Sequence, residues 1–103
     1  MRTKRCCGLD LKRTAKVFRT IAEDRRLVIV CLLKEQERCV CEIQEALGLP
    51  HNLVLHHLNT LKRTGLVIPR KTGKFTYYSL DRKNWAAFIK SVEVLFGMKK
   101  EAK

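Results

Sequence analysis

Residues 41–65 read CEIQEALGLPHNLVLHHLNTLKRTG, and this stretch decides the fold. Its first part, Cys41 to Leu47, is short and amphipathic, with Ile43, Ala46 and Leu47 on one side. Gly48 follows where a left-handed C-terminal cap needs a residue without a Cβ. Pro50 suits the start of a second helix, because the first helical position has no use for an N–H. Val54, Leu58 and Leu61 then recur at i, i+4 and i+7, and Gly65 closes the run. Two helices joined by a Gly-containing turn read as a helix-turn-helix.

Downstream, Val67 to Arg70 and Phe75 to Leu80 are short β-rich runs flanking Lys71, Thr72, Gly73 and Lys74, which predicts a hairpin with a basic tip. Asp81 can cap a last helix reaching about Met98. In it Trp85, Phe88, Ile89, Val92, Leu95 and Phe96 form a broad apolar stripe, wide enough at a chain end to imply a dimer interface. Upstream, Leu11, Ala15, Phe18 and Ala22, joined by Ile21, have the spacing of a first helix. Asp24 offers an N-cap for a second, Arg25 to about Lys34, whose run Leu27 to Leu33 is apolar nearly all round. A strand is the alternative there; the lack of alternation favours a buried central helix. The fold class is therefore mainly α with a small β-hairpin, a winged helix-turn-helix dimerising through its first and last helices, with Phe18 contributing from the first.

A chain of 103 residues holds one domain and excludes a multidomain enzyme. The division expected is a mobile basic head, residues 1–8, followed by the winged-helix and dimerisation domain, residues 9–103. The longest apolar run has seven residues, and Met1 is followed by bases rather than an apolar signal, so the expectation is a cytoplasmic protein with no membrane contact. There is no Gly-rich phosphate loop, no pair of catalytic carboxylates and no nucleophile with base and orienter, so the chain is not read as an enzyme.

Charge points to a polyanion. The formal net charge is +12, and it is localised. Residues 2–26 hold nine bases and three acids, and residues 62–83 seven bases and one acid, whereas residues 34–45 hold two bases and four acids. Nucleic acid leads over an anionic membrane surface as the partner. On the second helix of the motif, Asn52, Leu55, His56 and Asn59 fall together, with His51 nearby and Arg63 a turn on. Asn pairs bidentately with adenine and Leu55 meets a thymine methyl, which makes these the candidate base-reading residues. Arg70, Lys71 and Lys74 on the hairpin are the candidate phosphate contacts. His57 shares the side of Val54 and Leu61 and reads as a buried, satisfied histidine.

The span Ile21 to Leu80 resembles the ArsR/SmtB family of winged-helix metal-sensing repressors. Ile21-Ala-Glu-Asp-Arg-Arg-Leu-Val-Ile-Val-Cys-Leu-Leu is similar to the family's entry into its second helix, and Cys39-Val-Cys-Glu-Ile to its metal box. Gly48 to Leu58 with Leu61 and Gly65 is similar to the recognition helix, and Gly73-Lys74 with Tyr77-Tyr78-Ser79-Leu80 to the wing. Pro50, Leu53, Leu55 and His56 depart from the Ser, Thr and Arg that members often carry. The resemblance implies a homodimer that holds operator DNA when free of metal and releases it on binding a metal or metalloid.

Cys39 and Cys41 are one residue apart. In a regular helix that sets them ~200° apart, whereas at a first turn the backbone is not yet regular and the positive helix end with Arg38 favours thiolates. Cys6-Cys7 lies in the basic head, where packing gives it no role. Five cysteines without a signal segment imply reduced thiols, and closure of the head onto Cys39 and Cys41 gives the candidate site Cys6, Cys7, Cys39 and Cys41. The resemblance implies arsenite or antimonite as inducer, with cadmium, lead or zinc as the alternative. A thiol redox-switch regulator and a constitutive nucleic-acid binder are competing readings. Cys31, within an apolar helix, is assigned to the core.

Overall fold

The computed structural model describes residues 5–6 and 9–98, with side chains from Asp10 onward. Two short strands, β1 (Arg5–Cys6) in the basic head and β2 (Leu9–Asp10) just after it, pair antiparallel. Helix α1 (Leu11–Ile21) is capped by the Asp10 carboxylate, which accepts from the Arg13 N–H at 3.3 Å. It fully buries Thr14, Val17 and Thr20; of the expected stripe, Phe18 and Ile21 pack partly buried against the core while Ala15 and Ala22 are exposed. The hydroxyls of Thr14 and Thr20 donate to the carbonyls of Asp10 and Lys16 at 3.0 Å, so threonine can turn inward without an orphaned donor.

Helix α2 (Asp24–Glu35) is capped by Glu23 rather than Asp24: Glu23 has the extended backbone and accepts from the Arg26 N–H at 3.1 Å. The expectation of a helix buried all round is corrected. Only Ile29 and Leu33 are buried, while Leu27 and Val28 are 49% and 42% exposed. Cys31 lies on the exposed side as a free thiol, so it is no core residue.

A two-residue strand, β3 (Arg38–Cys39), leads into α3 (Val40–Leu47), which Gly48 ends with φ of +65°. Helix α4 (His51–Arg63) follows with Pro50 at its N-cap. Strands β4 (Val67–Thr72) and β5 (Phe75–Leu80) form the hairpin, and β3 adds to the outer edge of β5, giving the order β3-β5-β4. Helix α5 (Arg82–Leu95) starts at Asp81, whose carboxylate accepts from the Asn84 N–H at 3.2 Å. The core is Ile29, Leu33, Ile43, Val54, Leu58, Leu61 and Leu66, from α2, α3, α4 and the approach to β4.

Helix α5 is tied to the core by its own aromatic stripe. Trp85 Nε1 donates to the Leu66 carbonyl at 3.1 Å, and Phe88 is buried, edge-on to Phe18 at 5.2 Å and to Trp85 at 5.8 Å. Asn84 Nδ2 donates to the Gly65 carbonyl at 2.7 Å, and a Cβ on Gly65 (φ +82°) would sit 3.0 Å from that same nitrogen. Phe18, Trp85 and Phe88, expected at a dimer seam, thus pack within the chain. Ile89, Leu95 and Phe96 remain exposed.

Candidate DNA-reading surface and thiol pair

Helix α4 sorts its residues into two faces. Val54, His57, Leu58 and Leu61 are buried, which leaves His51, Asn52, His56, Asn59 and Arg63 exposed on the other side with Leu55 half-buried between them. The candidate reading residues therefore share one accessible face. Leu53, 45% exposed, lies beside them and has no assigned role from sequence.

His57 locks the back of this helix. Arg26 donates from its guanidinium to His57 Nδ1 at 3.1 Å and from Nε to the Thr20 carbonyl at 2.6 Å, joining α1, α2 and α4. Arginine has only donors, so Nδ1 is unprotonated and the imidazole is neutral. Burial pushes the His57 pKa down, and Arg26 adds to this while Glu23 opposes it.

On the hairpin, Gly73 takes φ of +60° in the two-residue loop between the paired residues Thr72 and Phe75. Lys71 and Lys74 are exposed, and among the described residues neither is in an ion pair. Arg70 differs. Its Nε and terminal nitrogen donate to the two Glu37 oxygens at 2.9 and 2.8 Å, and the guanidinium lies over the Tyr77 ring at 5.1 Å. Hydrogen bonding from Arg70 holds the Glu37 carboxyl below its ordinary value. Arg70, expected to face phosphate, is thus neutralised by its own chain.

The thiol pair stands where the wing meets the helix-turn-helix. Cys39 is the N-cap of α3 with extended backbone (φ −80°, ψ 159°), and its N–H donates to Glu42 Oε1 at 2.9 Å. The Cys39 and Cys41 Cα atoms are 5.4 Å apart, and the sulfurs are joined as a disulfide. The pair was expected as reduced thiols; joined in this way it offers no thiolate to an ion, so a ligand role needs it reduced. Cys39 is buried and Cys41 exposed. In the ladder Cys39 is opposite Tyr77 and Arg38 opposite Tyr78, so the box is hydrogen-bonded to the wing's inner strand.

A cleft of about 350 Å³ opens over the pair, bounded by Cys39, Cys41, Gln44, His51, Leu55 and Lys74. His51 Nδ1 lies 3.3 Å from Gln44 Oε1 across it. One recess thus borders the thiol box, the start of α4 and the wing tip. Among the described residues no three His, Cys, Asp or Glu side chains converge as a metal site. The side chains of Cys6 and Cys7, named as the other ligands, lie outside the described residues.

Residues 23–68 match the family model for bacterial regulatory proteins of the arsR family. An uncharacterised HTH-type transcriptional regulator of Methanocaldococcus jannaschii is 35% identical over 82% of this chain and 96% of its own length. The chain belongs to the arsR family. A cadmium resistance transcriptional regulatory protein CadC homolog of Staphylococcus aureus is 41% identical over 65% of this chain, which spans only 56% of that protein. The arsenical resistance operon repressor of Escherichia coli is 39% identical over 72% of this chain and 66% of its own length.

Among arsR-family and related solved structures, HlyU from Vibrio cholerae superposes with a TM-score of 0.71 at 30% identity, covering 84% of this chain and 94% of that one. The homodimeric winged helix-turn-helix DNA-binding domain from Mycobacterium bovis gives 0.70 at 30% identity over 90% of each. The arsR-family chain is accordingly a DNA-binding transcriptional regulator, not an enzyme, and its α3 and α4 are the helix-turn-helix beside a β4–β5 wing. No helix among the described residues is long and apolar enough to cross a membrane.

Sequence reasoning missed β3, the Glu37 clamp on Arg70 and the recess. A two-residue strand has no periodicity to detect, and the clamp joins residues 33 apart. The one available signal was the locally acidic span 34–45, Glu37 among its four acids, ahead of a basic hairpin.

Proposed function

We propose that the chain is a homodimeric repressor that leaves operator DNA when a thiophilic ion, arsenite or antimonite, engages Cys39 and Cys41. The observation that carries this reading is the position of the pair, laddered to the wing through Tyr77 and heading the helix before α4. Any ligand that repositions Cys39 acts on both DNA-contacting elements. Support for the ion class comes from the names of relatives, an arsenical resistance repressor and a cadmium resistance regulator. The pair provides two sulfurs of a three-thiol pyramid, and Cys6 or Cys7 is proposed for the third. Cadmium, lead or zinc is the alternative, with both head thiols completing a tetrahedron. Support for dimerisation comes from exposed Ile89 and Leu95 on α5, Phe96 at its C-cap, and Leu27 and Val28 on α2, and from the homodimeric relative.

A second reading rests on the disulfide. Cys39 and Cys41 together lose two electrons and two protons to an oxidant, and the closed pair itself becomes the signal. One titration separates the two. Labelled operator is bound under a thiol reductant, and arsenite, antimonite, cadmium, lead or zinc is added; a metal-free sample instead receives a dithiol oxidant. The leading reading expects arsenite or antimonite to weaken binding ~5 to 150-fold, a coupling of ~1 to 3 kcal/mol. Cys39→Ser, and Cys6→Ser with Cys7→Ser, should each remove the response and keep binding without ion. Release by oxidant alone, with no ion active, would replace the ion sensor by the redox switch.

A further inference from the structure

The recess beside the wing borders the start of α4. At the other end of α4 a second, more open cleft of about 390 Å³ lies between α1, α2 and α4, with Lys16, Arg19, Arg26, Thr60 and Arg63 around it. We propose that this cleft binds a DNA backbone phosphate, on the wall of the groove opposite the one the wing contacts. The proposal rests on the reading of α4 as the helix that enters the groove.

Three observations carry it. The first is charge: four cations and no carboxylate border the cleft. Arg26 is already engaged with Thr20 and His57, and Arg63 reaches Thr60 at 3.4 Å. The exposed side chains of Lys16 and Arg19 have no ion-pair or hydrogen-bond partner among the described residues. The second is chemistry. An ammonium and a planar guanidinium one turn apart on α1 form a phosphate-binding pair, the guanidinium by two parallel hydrogen bonds and the ammonium as a point charge.

The third is dimension. Helix α4 has 13 residues, which at ~1.5 Å per residue is about 20 Å. The major groove is about 12 Å wide and is walled on both sides by phosphates. A helix of that length with the wing at its first turn has its last turn beside the second backbone. Lys16 and Arg19 also account for part of the basic excess of residues 2–26, which neither α4 nor the wing uses.

The test is the salt dependence of binding to operator and to random duplex by Lys16→Ala/Arg19→Ala, with Lys83→Ala/Lys90→Ala as the charge-matched control. Circular dichroism confirms that each variant is folded. Each lost phosphate contact reduces the slope of log affinity against log salt by ~0.9, so the α1 variant should flatten it by up to ~1.8 per protomer on both duplexes. The control should keep the wild-type slope. An unchanged slope in the α1 variant, or equal flattening in the control, overturns the inference. If Lys71→Ala/Lys74→Ala still flattens the slope, the DNA-binding reading survives that failure; if wild type binds no duplex, that reading falls too. Calorimetry with inorganic pyrophosphate alone covers the other source of phosphate. Tight binding that Lys16 and Arg19 control, with the DNA slope unchanged, would assign the cleft to a soluble phosphate instead.

Discussion

Replacing Glu37 by Gln should make the protein bind DNA more tightly, although it deletes an interaction. Arg70 sits on β4 next to Lys71, yet its guanidinium is held in a two-point clamp by Glu37. The Arg70 and Glu37 side chains are 56% and 35% exposed, so water screens the pair and its loss costs the fold little stability. The released guanidinium is free to meet a phosphate. One added contact per protomer steepens the slope of log affinity against log salt by ~0.9, or ~1.8 for a dimer. Over a fourfold range of salt the advantage of the variant should therefore change about tenfold. Fluorescence anisotropy on labelled operator at four or more salt concentrations reads this directly. Arg70→Ala, by the same reasoning, should barely alter the wild-type slope. Because the clamp holds the Glu37 carboxyl below its ordinary value, mild acid will not open it and substitution is the right probe. Parallel salt lines for wild type and Glu37→Gln, together with a flattened line for Arg70→Ala, would refute the clamp: Arg70 would then already be on the DNA.

His57 should make stability pH-dependent. Burial lowers its pKa in the folded state, so as pH falls through the ordinary histidine value of ~6.5 the unfolded chain takes up the proton first, and stability present above that pH declines below it. His57→Gln should reduce the drop in urea midpoint between about pH 7.5 and about pH 5.5; an equal drop in both proteins would assign the dependence to other groups. At the other end of the chain, Leu95→Glu with Phe96→Glu should turn a dimer into a folded monomer in sedimentation, whereas Phe88→Ala should cost ~3 to 5 kcal/mol of stability. A dimer that survives the double charge would move the interface away from the end of α5.

The helix-turn-helix was legible because its punctuation is chemical. Gly48 takes the left-handed cap and Gly65 the positive φ that the sequence positions demanded, while Val54, Leu58 and Leu61 are buried at the spacing of one helix face. The reading failed where hydrophobicity and burial part company. Leu27, Val28 and Cys31 are apolar yet exposed, and Thr14 and Thr20 are polar yet buried, because a threonine hydroxyl can be satisfied by its own helix while its methyl packs. Thr20 also meets Thr64 at 3.0 Å, a contact between residues 44 apart that no local pattern reveals. The exposed row on α4, His51, Asn52, His56, Asn59 and Arg63, needed only a helical wheel. The state of Arg70 and the closure of Cys39 on Cys41 depended on backbone outside the regular elements, where periodicity carries no information.

Cys39 belongs to three substructures at once, and this makes it an effective place for a switch. As the partner of Tyr77 it is part of the wing sheet; as the N-cap of α3 it sets the first turn of the helix-turn-helix; with Cys41 it holds the thiol chemistry. A ladder of two residues gives β3 few hydrogen bonds of its own, so the edge of the sheet is easily displaced. The far side is stiff: Ile43, Val54 and Leu58 are fully buried, so α3 and α4 move as one packed unit. A change at the Cys39 sulfur therefore shifts the wing relative to the recognition helix more readily than it deforms either. In the proposed complex, base contacts from α4 and phosphate contacts from Lys71 and Lys74 need both elements in register on the same duplex. Loss of that register weakens binding without unfolding any part of the domain, which is the property a reversible repressor requires.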